Sequence, residues 1–162
     1  MDEAIQSQLH PRLDATVQSE NASHKRYIPI IDVSNVVRFG PEARLERLQL
    51  VLAELGKRGL VPVCIADANL RHLIDEKQSY ERMASREEVV QAPAGSCADS
   101  FISQTATQII SAGSVPIVVT NDRALARSVP TALHLKFVFV QIDTKTLPIF
   151  DPPLSILSMG GG

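Results

Sequence analysis

Residues Tyr27 to Asn35 read YIPIIDVSN. Ile28, Pro29, Ile30 and Ile31 form a short apolar run that stops at Asp32, with Ser34 and Asn35 behind it. A run of this length bounded by polar residues is the pattern of a strand buried on both faces of a parallel sheet. The shape returns twice. LVPVCIA, Leu60 to Ala66, stops at Asp67, and VPIVVT, Val115 to Thr120, stops at Asn121 and Asp122. Open parallel sheets hold their ligands in the crevice outside the carboxyl ends of the strands. Three strand-end aspartates therefore predict one shared acidic site.

Helical patterns separate these strands. Leu45, Leu48, Leu52 and Leu55 predict an amphipathic helix over about 41–58, opened by Gly40-Pro41 and closed by Gly59. DANLRHLIDEKQSYERMASR, from Asp67, predicts two short helices, one with Leu70, Leu73 and Ile74 and one from Glu76 to Met83. Glu87 to Ala92 reads as a short edge strand. CADSFISQTATQIISAG, from Cys97, reads as a helix with Ile102, Ala106, Ile109 and Ile110 inward and Asp99 in its first turn. Asn121 and Asp122 open a short helix through Arg127, and Phe137 to Ile142 is the last strand. Alternating strands and helices predict an α/β fold, a single three-layer domain with a mainly parallel twisted sheet flanked by helices. The domain is expected over 27–143, with a polar extension at 1–26 that carries a loose helical spacing, and a proline- and glycine-rich tail at 144–162.

Composition sets outer bounds. The chain has 162 residues, enough for one domain with a substantial core, and 44% of them are hydrophobic. Sixteen Lys/Arg against eighteen Asp/Glu give a formal charge of −2, which argues against a broad electrostatic grip on nucleic acid. Any nucleic-acid contact would need a local basic patch or a metal ion. Arg71, Lys77 and Arg82, just after Asp67, and Arg38, just after the first strand, are the expected patch, with Asn121 beside the third strand end. Cys64 and Cys97 match no zinc spacing and no disulfide framework. There is no apolar signal core and no run of membrane-spanning length, so a cytoplasmic protein without a membrane role is expected.

Each aspartate has an ordinary role available, most simply as a helix cap or first-turn charge. Their conjunction is the informative feature. Clustered carboxylates repel and raise one another's pKa, and a divalent cation relieves the repulsion. Hard oxygen donors suit Mg²⁺ or Mn²⁺, with Asp32, Asp67, Asp99 and Asp122 as the candidate ligands. No Gly-rich phosphate loop is present, nor a plausible Ser-His pair, which points to water activation at a phosphodiester.

Three segments carry a family resemblance: Asp32-x-Ser34-Asn35, PAGSCADSFI around Asp99, and TNDRAL around Asp122. In this order the chain resembles the NYN branch of PIN-like ribonucleases, and most of all the Regnase (MCPIP) type nuclease domain, over roughly Ile28 to Ile142. The resemblance implies an Mg²⁺- or Mn²⁺-dependent endonuclease acting on single-stranded or structured RNA, with Asp32, Asn35, Asp99 and Asp122 on the family's site positions. Asp67 rests on the strand-end argument instead. The chain also departs from the pattern. It has Ala98-Asp99 where the family often has paired aspartates, and Ala124, Leu125 and Ala126 where a further acidic residue often follows. Two cysteines cannot build the zinc finger of the animal members.

The reduced carboxylate count keeps a second reading open, a PIN-like module that has lost catalysis and binds RNA or assembles with other proteins. A homodimer and an antitoxin or other protein partner are compatible with either. A third reading, a phosphotransfer fold, ranks last. A phosphatase of that class would want a second aspartate where Ser34 stands, and a receiver would want its lysine after a late strand, whereas Lys136 precedes one.

Overall fold

The computed structural model describes residues 25–160. The expected N-terminal extension lies almost wholly outside them. The elements run in chain order as strand β1 (Tyr27–Asp32), helix α1 (Val33–Val37), helix α2 (Leu45–Lys57) and strand β2 (Val63–Ala66). Helices α3 (Leu70–Leu73) and α4 (Lys77–Ser85), strand β3 (Val90–Gln91) and helix α5 (Ala98–Ser111) follow. Strand β4 (Val115–Val119), helix α6 (Arg123–Ser128), the paired strands β5 (Leu133–Ile142) and β6 (Lys145–Asp151), and helix α7 (Ser155–Gly160) complete the chain. Among the described residues no helix is long and apolar enough to cross a membrane.

The strands form one six-stranded sheet in the order β3-β2-β1-β4-β5-β6. All neighbours are parallel except β5 and β6. This is an α/β fold with a mainly parallel sheet flanked by helices. Side chains alternate across the sheet, as a strand period of two requires. Ile31, Cys64, Ala66, Ile117 and Val119 pack with α1, α2 and α4 on one face. Ile28, Ile30, Val63, Ile65 and Val118 pack with α5 and α6 on the other. The two prolines in β1 and β4 sit where the sheet tolerates them. Pro29 precedes Ile30, where β2 joins β1, and Pro116 precedes Ile117, where β5 joins β4. Each therefore lies in a stretch paired on one side only.

The helix expected from Pro41 begins at Leu45. Upstream, the Arg47 guanidinium donates to the Val37 and Glu42 carbonyls, holding 41–44 as a loop. Asp75 then accepts from the Leu45 N–H at 2.9 Å, a cap supplied from thirty residues away. Leu45, Leu48, Val51 and Leu55 are buried, and Leu52 packs at the margin. Ile110, expected inward on α5, is 42% exposed, because Ala98, Phe101, Ile102, Thr105, Ala106 and Ile109 already make a complete stripe. The edge strand expected over 87–92 shortens to Val90–Gln91.

Three elements are unforeseen, among them the short helix α7 in the stretch read as a tail. Helix α1 starts directly after β1, in a valine-rich stretch with poor helix propensity; Val33, Val36 and Val37 are fully buried, and burial outweighs propensity. Another is β6, in the stretch read as a tail. Asp143, in the left-handed region at φ 55, turns the chain between Ile142 and Lys145, a bend that Asp tolerates without the usual glycine signal. Pro148 reads as a strand breaker, yet β6 is an edge strand, where proline is allowed. Phe150 of β6 is 7% exposed and joins Phe137, Leu154 and the α2 leucines in the core. Replacing Phe150 by Ala should therefore destabilise the protein by about 3–5 kcal/mol in urea unfolding. A change below about 0.5 kcal/mol would mean that 145–151 is a dispensable tail.

Candidate active site at the carboxyl edge of the sheet

In this strand order the direction of winding reverses between β1 and β4, and such switch points leave a crevice outside the carboxyl ends. A cleft of about 230 Å³ occupies this edge, lined by Asp32, Ser34, Asn35, Arg38, Asp67, Asp99 and Asp122. All four expected aspartates thus face one space, together with Asn35 and Arg38. They come from four different parts of the chain: the β1–α1 junction, the end of β2, the first turn of α5 and the start of α6.

Hydrogen bonds between these segments fix the arrangement. Thr120, just past β4, donates its hydroxyl to Asp32 Oδ2 at 2.8 Å and accepts from the Asp122 N–H at 3.1 Å. Asn35 Oδ1 accepts from the Asn121 N–H at 2.8 Å, a second tie between β1 and β4. Ser34 Oγ accepts from the Asp67 N–H at 3.0 Å, tying β1 to β2. Asp67 Oδ1 accepts from the Ala98 N–H at 2.8 Å, fastening the start of α5 to β2. Asp122 Oδ1 caps α6 by accepting from Ala124 and Leu125 N–H at 2.9 and 3.1 Å.

Asp32 carries the unusual electrostatics. It is 6% exposed. Burial pushes its pKa from 3.8 to about 6; the Thr120 hydroxyl pulls it down, the Asp99 charge raises it, the nearby Asn35 N–H lowers it and the Asp67 charge raises it. Asp99, at the mouth of the cleft, is also raised, first by partial burial and then by the charges of Asp122 and Asp67. The four carboxylates are close enough to sense one another. They do not stand as a closed ligand cage: among the described residues no three carboxylates, imidazoles or thiols are grouped tightly enough to grip an ion as they are. Asp32, Asp67 and Asp122 each commit one oxygen to the scaffold and keep a second. This hard, anionic, mutually repelling donor set fits Mg²⁺ or Mn²⁺ by its chemistry.

The expected RNA contacts divide. Arg38 is exposed on the cleft wall and also lines a neighbouring cavity of about 330 Å³ with Asp67, Asn69 and Cys97. Arg71 is held in a two-point ion pair with Glu81, at 3.0 and 2.9 Å. Arg82 donates to Ser79 Oγ at 3.1 Å, and Lys77 is exposed at the start of α4. The Asn121 amide is occupied at both ends by β5: Nδ2 donates to the Phe137 carbonyl and Oδ1 accepts from the Phe137 N–H. Its side chain positions β5 against the site, a role its place after the third strand does not reveal. Thr120, by its place at the end of the strand beside β1 a neutral donor expected near the site, turns its hydroxyl to Asp32.

The sequence matches no protein-family model, and no curated protein matches it.

The buried Asp32 carboxylate makes a signed prediction. A folded-state pKa raised from 3.8 to about 6 means that the folded protein favours the protonated form. The stability associated with this group is fully present below about 3.8 and is lost as pH rises through about 6. The difference amounts to roughly 3 kcal/mol. In EDTA, Asp32→Asn should be more stable than wild type at pH 7 by up to this amount, and the advantage should vanish near pH 4. Thermal melts across pH measure it. An Asn variant less stable than wild type at pH 7 would show that the carboxylate is well compensated.

Proposed function

We propose that this chain is a PIN-like nuclease domain of the NYN type, an endoribonuclease that hydrolyses RNA phosphodiesters with Mg²⁺ or Mn²⁺. The observation that carries this reading is the convergence of Asp32, Asp67, Asp99 and Asp122 on one cleft at the switch point of the sheet, with Arg38 on its wall. An α/β fold with a mainly parallel sheet is compatible with the resemblance. Cys64 and Cys97 are not joined by a disulfide, which suits a reducing cytoplasm.

In this reading Asp32, Asp99 and Asp122 hold the cation, with Asp67 supporting from β2. When bound, the ion supplies Lewis-acid stabilisation of charge developing on phosphate and a more acidic water. Asp32 is the rigid member, because Thr120 fixes its Oδ2 and the surrounding core fixes its backbone. Asn35 and Ser34 hold the neighbouring strand ends in register, so the carboxylates keep their spacing. Arg38 brings a positive charge to the wall, where a substrate phosphate would meet it. Asp32 must shed its proton before it can hold a cation.

A second reading has an observation of its own. Asp67 and Asp122 both act as backbone caps, and a cap needs no metal. On that reading the domain binds RNA or assembles with partners without cutting.

Cleavage of a labelled single-stranded RNA separates the two. Wild type should cut with Mn²⁺ and not with EDTA, and Asp32→Asn should lose more than about 100-fold in rate while remaining folded. Cutting should also fall as pH drops below about 6, where Asp32 takes up its proton. Cleavage that persists in EDTA would refute the metal reading. RNA binding without cleavage would establish the noncatalytic one.

A further inference from the structure

The two faces of the sheet are covered unequally. On one face α5 and α6 pack over β1, β2, β3 and β4, and the buried cluster there takes no residue from β5 or β6. The β5–β6 hairpin reaches past these helices. Its side chains alternate, and Leu135, Phe137 and Phe150 point into the core under α2. Lys136, Val138 and Ile142 take the opposite face, and the antiparallel register sets them against Asp151, Ile149 and Lys145. Opposed residues of such a pair share a face. Val138 and Ile149 are each 47% exposed, and Ile142 is exposed beside them. Helix α7 gives this face no cover, because Leu154 and Leu157 pack with the α2 core on the other side.

The uncovered face has the shape of a step. A cavity of about 310 Å³ runs over Phe137, Val138, Ile149 and Phe150 and is bordered by Lys136 and Asp151. A second cavity of about 280 Å³ adjoins it between α6 and β5, bounded by Ala126, His134 and Lys136. Helix α6 is thus the riser of the step, the hairpin is its tread, and β6 is the open side. The free edge of β6 carries Pro148, which has no N–H to offer, so strand addition is blunted there and the face is the better surface. Lys136 and Asp151 are opposed in the ladder, yet among the described residues neither has an opposite charge within ion-pair distance.

We propose that this face pairs with the same face of a second copy of the chain, β5 of each lying over β6 of the other. Shape and charge both select that occupant and that orientation. A two-fold axis across the strands would stack like strands, and α6, which covers β4, would collide with β4 of the second copy. An axis along the strands sends the two helix layers to opposite sides. Each hairpin then sits in the other's step, at the spacing of about 10 Å usual for stacked sheets. The same axis sets Lys136 over Asp151 of the second copy and Val138 over its Ile149, each twice, as an isologous contact requires. Two lysines and two aspartates thereby alternate in sign at the border of an apolar centre. Strand direction is preserved, so both acidic clefts open on the same side of the dimer.

Sedimentation equilibrium of the full chain tests the pairing. A two-stranded face is at the small end of interfaces, so the mass should rise from monomer towards dimer with concentration in the micromolar range. Val138→Asp and Ile149→Asp should each weaken association by more than about tenfold. Lys136→Asp and Asp151→Lys should each weaken it too, because the charge cluster becomes all negative or all positive. Mixing these two variants should restore a dimer, which neither a folding defect nor a lost contact within one chain would allow. Lys145→Asp should change little, because Lys145 lies over Ile142 of the second copy in this arrangement. A chain that stays monomeric at every concentration overturns the pairing. A dimer that survives both Val138→Asp and Ile149→Asp, or a mixture of the two charge variants that stays monomeric, overturns it as well. Mass is independent of RNA cleavage, so the dimer and the ribonuclease reading stand or fall separately.

Discussion

A carboxylate with almost no access to water stands at the end of the central strand, and the structure around it depends on how that burial is tolerated. Asp32 is held by the Thr120 hydroxyl, which is itself held by the Asp122 N–H. One short chain of hydrogen bonds therefore joins the end of β1, the end of β4 and the first residues before α6. Buried polar groups carry a large penalty when left unpaired, so such a network confines its members to a narrow set of positions. Asn35 to Asn121, Ser34 to Asp67 and Asp67 to Ala98 extend the same logic across the sheet edge.

These ties give most site residues two roles. Asp122 caps α6 and faces the cleft; Asp67 caps α5 and faces the same cleft. The roles are compatible, because a carboxylate has two oxygens and each cap uses only one. The arrangement also explains how a cluster of carboxylates persists in the fold. The Thr120 hydroxyl and the Asn35 N–H stabilise the charged form of Asp32, offsetting part of the burial and the neighbouring charge that raise it.

The β5–β6 hairpin supports the loop that follows the cleft residue Arg38. Phe137 and Phe139 meet Phe39 at centroid distances of 6.0 and 5.2 Å, so the loop after Arg38 leans on the hairpin. The other end of that loop is secured by Arg47 and, beyond it, by Asp75 at the start of α2. The loop after Arg38 is thus held to the hairpin through packed aromatic rings.

Much of the fold was legible from residue order, because the signals involved are local. The apolar runs at Ile28, Val63 and Ile117 and the leucine spacing of α2 are properties of neighbouring residues, and they suffice for an α/β fold with a mainly parallel sheet. The strand-end positions of Asp32, Asp67 and Asp122 are equally local, and in a parallel sheet they imply a common edge. Tertiary structure decided what depends on partners distant in sequence. That the packed sheet buries Asp32 raises its pKa, and that Thr120, 88 residues away, donates to it lowers it again. That Glu81 sits beside Arg71 removes this cation from the expected patch, and Phe137 takes the Asn121 amide. That β6 pairs with β5 makes a strand of a segment whose proline and glycine-free turn read as a tail. Periodicity reports which way a side chain faces along its own element; only the packed sheet determines which charge it meets there.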